Sequence, residues 1–138
     1  RHGRVLTRAA REVATATPAP GHYEQDAEAV VASLEEPLAD VVGELGADNC
    51  RGAGLATQRS SIACWDRHTG AALGPIISWR DTRHAAWLDA LGLDEPGLRA
   101  ITGLRASPHY GASKLRWCLD NLPAVRQAAG PRAPRGRA

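Results

Sequence analysis

Apolar positions in this chain switch between two periods, and the switches divide it into elements. Val5 to Ala14 has room for one strand, though Ala and Arg give it weak propensity. Thr17-Pro18-Ala19-Pro20-Gly21 breaks the chain into a turn. Asp26 then stands where a helix N-cap is expected, and Ala29, Val30, Leu34, Leu38, Val41, Val42 and Leu45 recur at helical spacing. Pro37 falls inside that pattern, which predicts a kink or a split, because proline lacks the amide and crowds the preceding turn.

Beyond a loop over residues 46–52, Ala53 to Thr57 and Ile62 to Asp66 read as strands. A further strand is expected within Ala71 to Trp79, near Ile76 and Ile77. Helices are predicted for Thr82 to Leu91, Pro96 to Ile101 and Ser113 to Leu122. From Gly130 onward only Pro, Arg, Ala and Gly remain, the composition of a disordered tail. Strands alternating with helices place the chain in the α/β class. One long connection among short turns points to a mixed sheet rather than a purely parallel one.

Two polar clusters interrupt apolar runs where strands should end: Thr57-Gln58-Arg59, and Trp79-Arg80-Asp81 with Arg83. Ligands of α/β folds sit at strand ends, so the pair suggests one polar pocket. A guanidinium at Arg59 can donate to two vicinal hydroxyls of a polyol or sugar, or it can cap exposed strand-end carbonyls. Trp79 can wall a sugar site or simply pack in the core. Arg80, Asp81 and Arg83 serve equally well as ligand contacts or as a salt-bridge cluster at a helix start. Pro108-His109-Tyr110-Gly111 precedes a helix and can present His109 and Tyr110 to a pocket, or form a turn that buries the tyrosine ring.

The 138 residues suffice for one domain. The chain starts at Arg1 and holds no methionine, which is the expectation for a fragment. The net charge is +2, but Arg126, Arg132, Arg135 and Arg137 fall in an acid-free terminal stretch; without those four the body carries 2 − 4 = −2. That argues against a nucleic-acid-binding domain, which needs a basic folded face. No apolar run approaches the roughly 20 residues of a membrane span, and no signal peptide is evident, so a cytoplasmic protein without membrane partners is expected. Cys50, Cys64 and Cys118 are odd in number and widely spaced, which argues against disulfides or zinc, and Cys64 in an expected strand and Cys118 on an apolar helix face fit buried free thiols. His2, His22, His68 and His84 are scattered, and His109 has no second metal ligand at suitable spacing. Neither a Gly-x-x-x-x-Gly-Lys phosphate loop nor a Gly-x-Ser-x-Gly elbow occurs.

Taken together and in order, the blocks Pro18–Asp26, Gly54–Arg59, Cys64–Gly70, Ile77–Arg83, Thr102–Leu104 and Ser107–Trp117 resemble the amino-terminal domain of the FGGY carbohydrate kinases, nearest the glycerol kinase branch. The resemblance runs over about residues 3–128, leaving 129–138 as an Arg/Pro tail. It implies an actin-like, ribonuclease-H-like ATPase fold, here an incomplete amino-terminal domain. It also implies ATP and Mg2+ held between two such domains, and transfer of the γ-phosphoryl group to a hydroxyl of a polyol or sugar. By the same resemblance Arg59 orients substrate hydroxyls and Trp79 walls the site. Ser60 stands where glycerol kinases keep a substrate-binding Glu. His109 stands where they keep a substrate-contacting Tyr, with Tyr110 beside it. Both departures touch the pocket and put glycerol itself in question.

The phosphate loop, the catalytic Asp and the ATP domain of the family would lie outside these 138 residues. The fragment alone is therefore expected to be inactive, within a complete enzyme that has room to assemble as a homo-oligomer. Two alternatives stay open: a non-catalytic carbohydrate-binding or interaction module derived from a kinase, and a nonfunctional truncated product.

Overall fold

The computed structural model describes residues 3–130. Its elements in chain order are β1 (Glu24–Gln25), α1 (Ala27–Leu45), a 3-10 turn (Ala47–Asn49), β2 (Ile76–Ile77), α2 (Ala85–Asp89), α3 (Glu95–Thr102), α4 (Gly111–Asn121) and α5 (Pro123–Ala128). The strands pair antiparallel, Glu24 opposite Ile77 and Gln25 opposite Ile76. Single bridges widen the ladder on both sides, Ala16 to Glu24 and Ile62 to Ile77, and a third joins Trp65 to Ala72. Every pairing among these described residues is antiparallel.

Ile77 lies at the centre of that ladder and is fully buried. It forms the core with Cys118 of α4 and Val125 of α5, and Ile62, Cys64, Leu73, Trp117, Leu119 and Leu122 pack around them. The hairpin from Cys64 to Leu73 turns on Asp66, whose carboxylate accepts the amides of His68 and Thr69 at 2.8 and 2.9 Å. Gly70 completes the turn at φ 75°, a conformation that suits glycine.

Asp26 caps α1 as expected, accepting the Ala29 amide at 2.8 Å. Of the two expected outcomes at Pro37, a kink or a split, the split does not occur: the helix is continuous through Pro37 to Leu45. Proline there removes a single intrahelical bond, the one to the Ser33 carbonyl, and nineteen residues of helix absorb the loss. None of the residues of α1 is buried, and Val31, Leu34 and Leu38 stay about half exposed.

Val5–Ala14 and Ala53–Thr57 are not strands. A strand exists only with a neighbour to accept its backbone bonds, and no described segment pairs with either. The first instead lies along α1, through Thr7 to Glu44 and Arg11 to Glu36. Both segments contribute to an apolar cavity of about 460 Å³ beside α1, through Val13, Leu55 and Ala56. The helix predicted from Thr82 begins only at Ala85, and α5, which starts on Pro123 at its first turn, adds an element that sequence periodicity had not resolved. Most of the Arg/Pro tail, residues 131–138, lies outside the described residues; Ala129 closes α5.

Candidate functional site

A cavity of about 610 Å³ is lined by Gln58, Arg59, Ser60, Trp79, Leu104, His109 and Tyr110. Its volume lies within the range of about 300–1,000 Å³ usual for small-molecule sites. Arg59, Ser60, Trp79, His109 and Tyr110, all singled out from sequence, thus share one wall-to-wall space despite spanning fifty residues of chain.

Three local devices hold that space open. The first is Ser61, which has one foot on each polar cluster. Its hydroxyl donates to Gln58 Oε1 at 3.0 Å and accepts the Trp79 amide at 3.0 Å. Sequence reading passed over Ser61; its signal was only a small hydroxyl residue adjoining the Gln58-Arg59 break. The second is Ser60, which adopts φ 67°, the only left-handed non-glycine residue among those described. Such a conformation costs an L-residue about 1–2 kcal/mol, and here it turns the chain sharply between Arg59 and the Ile62 ladder. The third is His109, whose Nδ1 lies 3.3 Å from the Trp79 carbonyl oxygen. A carbonyl only accepts, so Nδ1 carries the proton, and in that tautomer Nε2 is the acceptor nitrogen of the ring.

The Arg59 guanidinium makes no hydrogen bond or ion pair with the described residues, so it does not cap strand-end carbonyls. Trp79 and Tyr110 remain 48% and 38% exposed, so neither ring is spent on the core. The cavity therefore presents a free fork of donors, a hydroxyl, an imidazole acceptor and two aromatic faces.

The remainder of the second cluster faces elsewhere. Asp81 is fully buried and accepts the Tyr23 amide at 2.7 Å, the Arg83 amide at 2.9 Å and the Arg83 guanidinium at 2.7 Å. Arg83 also pairs with Glu24 at 2.8 Å and lies over the Trp117 ring, 4.4 Å from its centroid. Burial alone would raise the Asp81 carboxyl, but the Arg83 side chain and the two amides outweigh it and hold the pKa below 3.8. This network ties β1 to the segment after β2. Arg80 stacks over Tyr23, 4.6 Å from the ring centroid. The salt-bridge alternative is realised by Asp81 and Arg83, while Arg80 forms no ion pair among the described residues.

No carboxylate lines the cavity, and among the described residues no three His, Cys, Asp or Glu side chains gather to hold a metal ion. These residues do not fit a magnesium site. No helix of the described chain is long and apolar enough to cross a membrane.

Residues 1–131 match the amino-terminal domain of the FGGY family of carbohydrate kinases. The chain is 36% identical over 132 residues to the glycerol kinase of Acinetobacter baylyi, covering 90% of this chain and 26% of that protein. Among solved structures it superposes on Plasmodium falciparum glycerol kinase with ADP at a TM-score of 0.82, with 23% identity over 90% of this chain and 26% of that one. It also superposes on xylulose kinase from Rhodospirillum rubrum at 0.72, with 26% identity over 86% of this chain and 25% of that one. The fold is that of an actin-like ATPase domain, represented in part. The chain belongs to the FGGY family of carbohydrate kinases, which use a nucleotide, and it spans about a quarter of the length of the relatives it matches.

Proposed function

We propose that the cavity is the substrate side of a carbohydrate kinase that transfers the γ-phosphoryl group of ATP, with Mg2+, to a hydroxyl of a polyol or sugar. The observation that carries this reading is the convergence of Arg59, Ser60, Trp79, His109 and Tyr110 on one cavity in a chain of this family. Arg59 donates to neighbouring hydroxyls, and the Trp79 face packs on their carbon–hydrogen side. The free Nε2 of His109 accepts from a further hydroxyl, and Tyr110 closes the wall. ATP supplies the transferred group when bound. The cavity residues bind and orient the acceptor, and no carboxylate base is among them. Substrate orientation by such a wall contributes through proximity, and the isolated chain is expected to bind without turnover.

Ser60 sets the choice of acceptor. It is small and uncharged, and its left-handed turn aims the backbone sharply. With no carboxylate on the cavity wall, the acceptor proposed in place of glycerol is a related polyol or sugar. The test is kinetic, in an enzyme completed with the regions that these 138 residues do not span. Arg59→Ala should raise the acceptor KM and lower kcat/KM by about 100-fold, since a lost charge-assisted pair of bonds is worth roughly 1.5–3 kcal/mol. Unchanged kinetics would remove Arg59 from the site.

A further inference from the structure

Of the chain's 17 lysine and arginine residues, only Lys114 is lysine. Every other cation is arginine, the side chain with more donors and weaker hydration. Lys114 is also among the most buried residues of the protein, 1% exposed. Its ammonium donates to the carbonyl of Pro108 at 3.0 Å and to the carbonyl of His109 at 2.6 Å. Among the described residues no carboxylate lies within ion-pairing distance of it.

This placement is poor for stability. Burying an ammonium without a contacting counter-ion is costly, and burial accordingly pulls the Lys114 pKa down, with the charge of Asp81 opposing. The residue is also the fourth of α4, near the helix end whose dipole repels cations. An apolar side chain of the same length would cost less. What the ammonium does supply is a pair of bonds from a single point to two successive carbonyls, a geometry that a planar guanidinium cannot reproduce in the same space.

Those carbonyls belong to the residue that carries the His109 side chain into the cavity and to its predecessor. Ser113, one step back on the same helix, donates at 3.3 Å to Pro108 and to Tyr110. The peptides of Pro108, His109 and Tyr110 are therefore all held from beneath by two adjoining side chains of α4, while His109 and Tyr110 project from the other side into the cavity.

Resting on the pocket reading above, we propose that Lys114 is a positioning residue of the acceptor site. Its ammonium pins the backbone at 108 and 109 so that His109 meets the Trp79 carbonyl and Tyr110 meets the cavity. It touches no substrate itself.

The experiment uses the 138-residue chain, isotopically labelled, without ligand and then with xylitol. Three samples are compared: wild type, Lys114→Met and Lys114→Arg. In wild type, the single lysine should give a solvent-protected ammonium resonance with contacts to the α-protons of Pro108 and His109. His109 should hold its proton on Nδ1, against the ordinary imidazole preference for Nε2. Lys114→Met should move the His109 proton to Nε2 while the methyl resonances of Ile77 and Val125 stay in place. It should also weaken xylitol binding by about ten-fold, the scale of a displaced contact residue. Lys114→Arg should not restore either property.

A variant that keeps the Nδ1 tautomer overturns the proposal, as does rescue by arginine. If Lys114→Met does not fold, the wild-type ammonium decides alone: a resonance lost to rapid exchange with water overturns the proposal. Should wild type bind no xylitol while the ligand-free signatures behave as expected, the pocket reading fails and the role of Lys114 in holding the loop stands.

Discussion

The imidazole of His109 donates from Nδ1 to the main-chain carbonyl of Trp79 across 3.3 Å, joining residues thirty apart in the chain. The bond links the two halves of the cavity wall, and it fixes which ring nitrogen is left to face a ligand. His109→Phe removes both features but keeps a ring. It is expected to weaken acceptor binding by about ten-fold while moving stability by no more than about 0.5–1 kcal/mol, because the residue is exposed. Calorimetric titration beside urea denaturation separates the two effects.

Stability rests on a small centre. Ile77 is fully enclosed by β1, the Ile62 segment, α4 and α5, and among the described residues the other buried hydrophobic members of the core are only Cys118 and Val125. Ile77→Ala should therefore cost about 2–5 kcal/mol, a large share of the 5–15 kcal/mol typical of a domain. Urea denaturation is expected to show a much lower midpoint or no cooperative transition. Leu38→Ala, on the half-exposed face of α1, should change the midpoint far less.

The Asp81–Arg83 pair makes the fold acid-sensitive. The folded pKa of Asp81 lies below 3.8, chiefly because Arg83 and two amides overcome its burial. A depressed folded pKa means the contribution is complete above 3.8 and disappears as pH falls through the folded value. Asp81→Asn leaves the buried Arg83 guanidinium with Glu24 as its only carboxylate, a change of the kind that costs about 3–5 kcal/mol. Thermal melts between pH 2 and 7 should show a lower melting temperature for the variant near neutrality, with the gap narrowing at the acid end. A gap that is constant with pH would contradict the assignment.

The three cysteines should separate by reactivity. Burial pushes the Cys118 thiol up to about 12, with the neighbouring Cys64 adding to it, and burial also raises Cys64. Cys50 is exposed. Because the thiolate is the reactive form, a disulfide reagent at pH 8 should label Cys50 rapidly and leave Cys64 and Cys118 unmodified until denaturant is added. Mass spectrometry of the labelled peptides reads this directly.

The residues that line the cavity stood out by type, since Arg59 interrupts an apolar run and Trp79 ends another, although the run before Arg59 forms no strand. The helices α1 and α4 also followed from periodicity, since Asp26 capped one and Leu115, Trp117, Cys118 and Leu122 patterned the other. The segments 5–14 and 53–57 did not follow, because a strand depends on a partner that local sequence does not name. Asp81 and Arg83 were indistinguishable from ligand contacts until burial showed them facing Tyr23 and Glu24. Ser61 and Lys114 were not legible because their roles lie in main-chain contacts, Ser61 with the Trp79 amide and Lys114 with the carbonyls of Pro108 and His109, and residue type alone does not mark such a contact.

Whether the cavity binds a polyol or sugar is answered most directly by titrating the isotopically labelled chain with glycerol, xylitol and xylulose, followed by NMR. Binding of the five-carbon compounds should shift the Trp79 indole, His109 ring and Tyr110 ring resonances together, more than glycerol does. Arg59→Ala should abolish those shifts, and Ser60→Glu should favour glycerol. Shifts confined to the apolar cavity beside α1, or an identical response in Arg59→Ala, would contradict the assignment of the acceptor site.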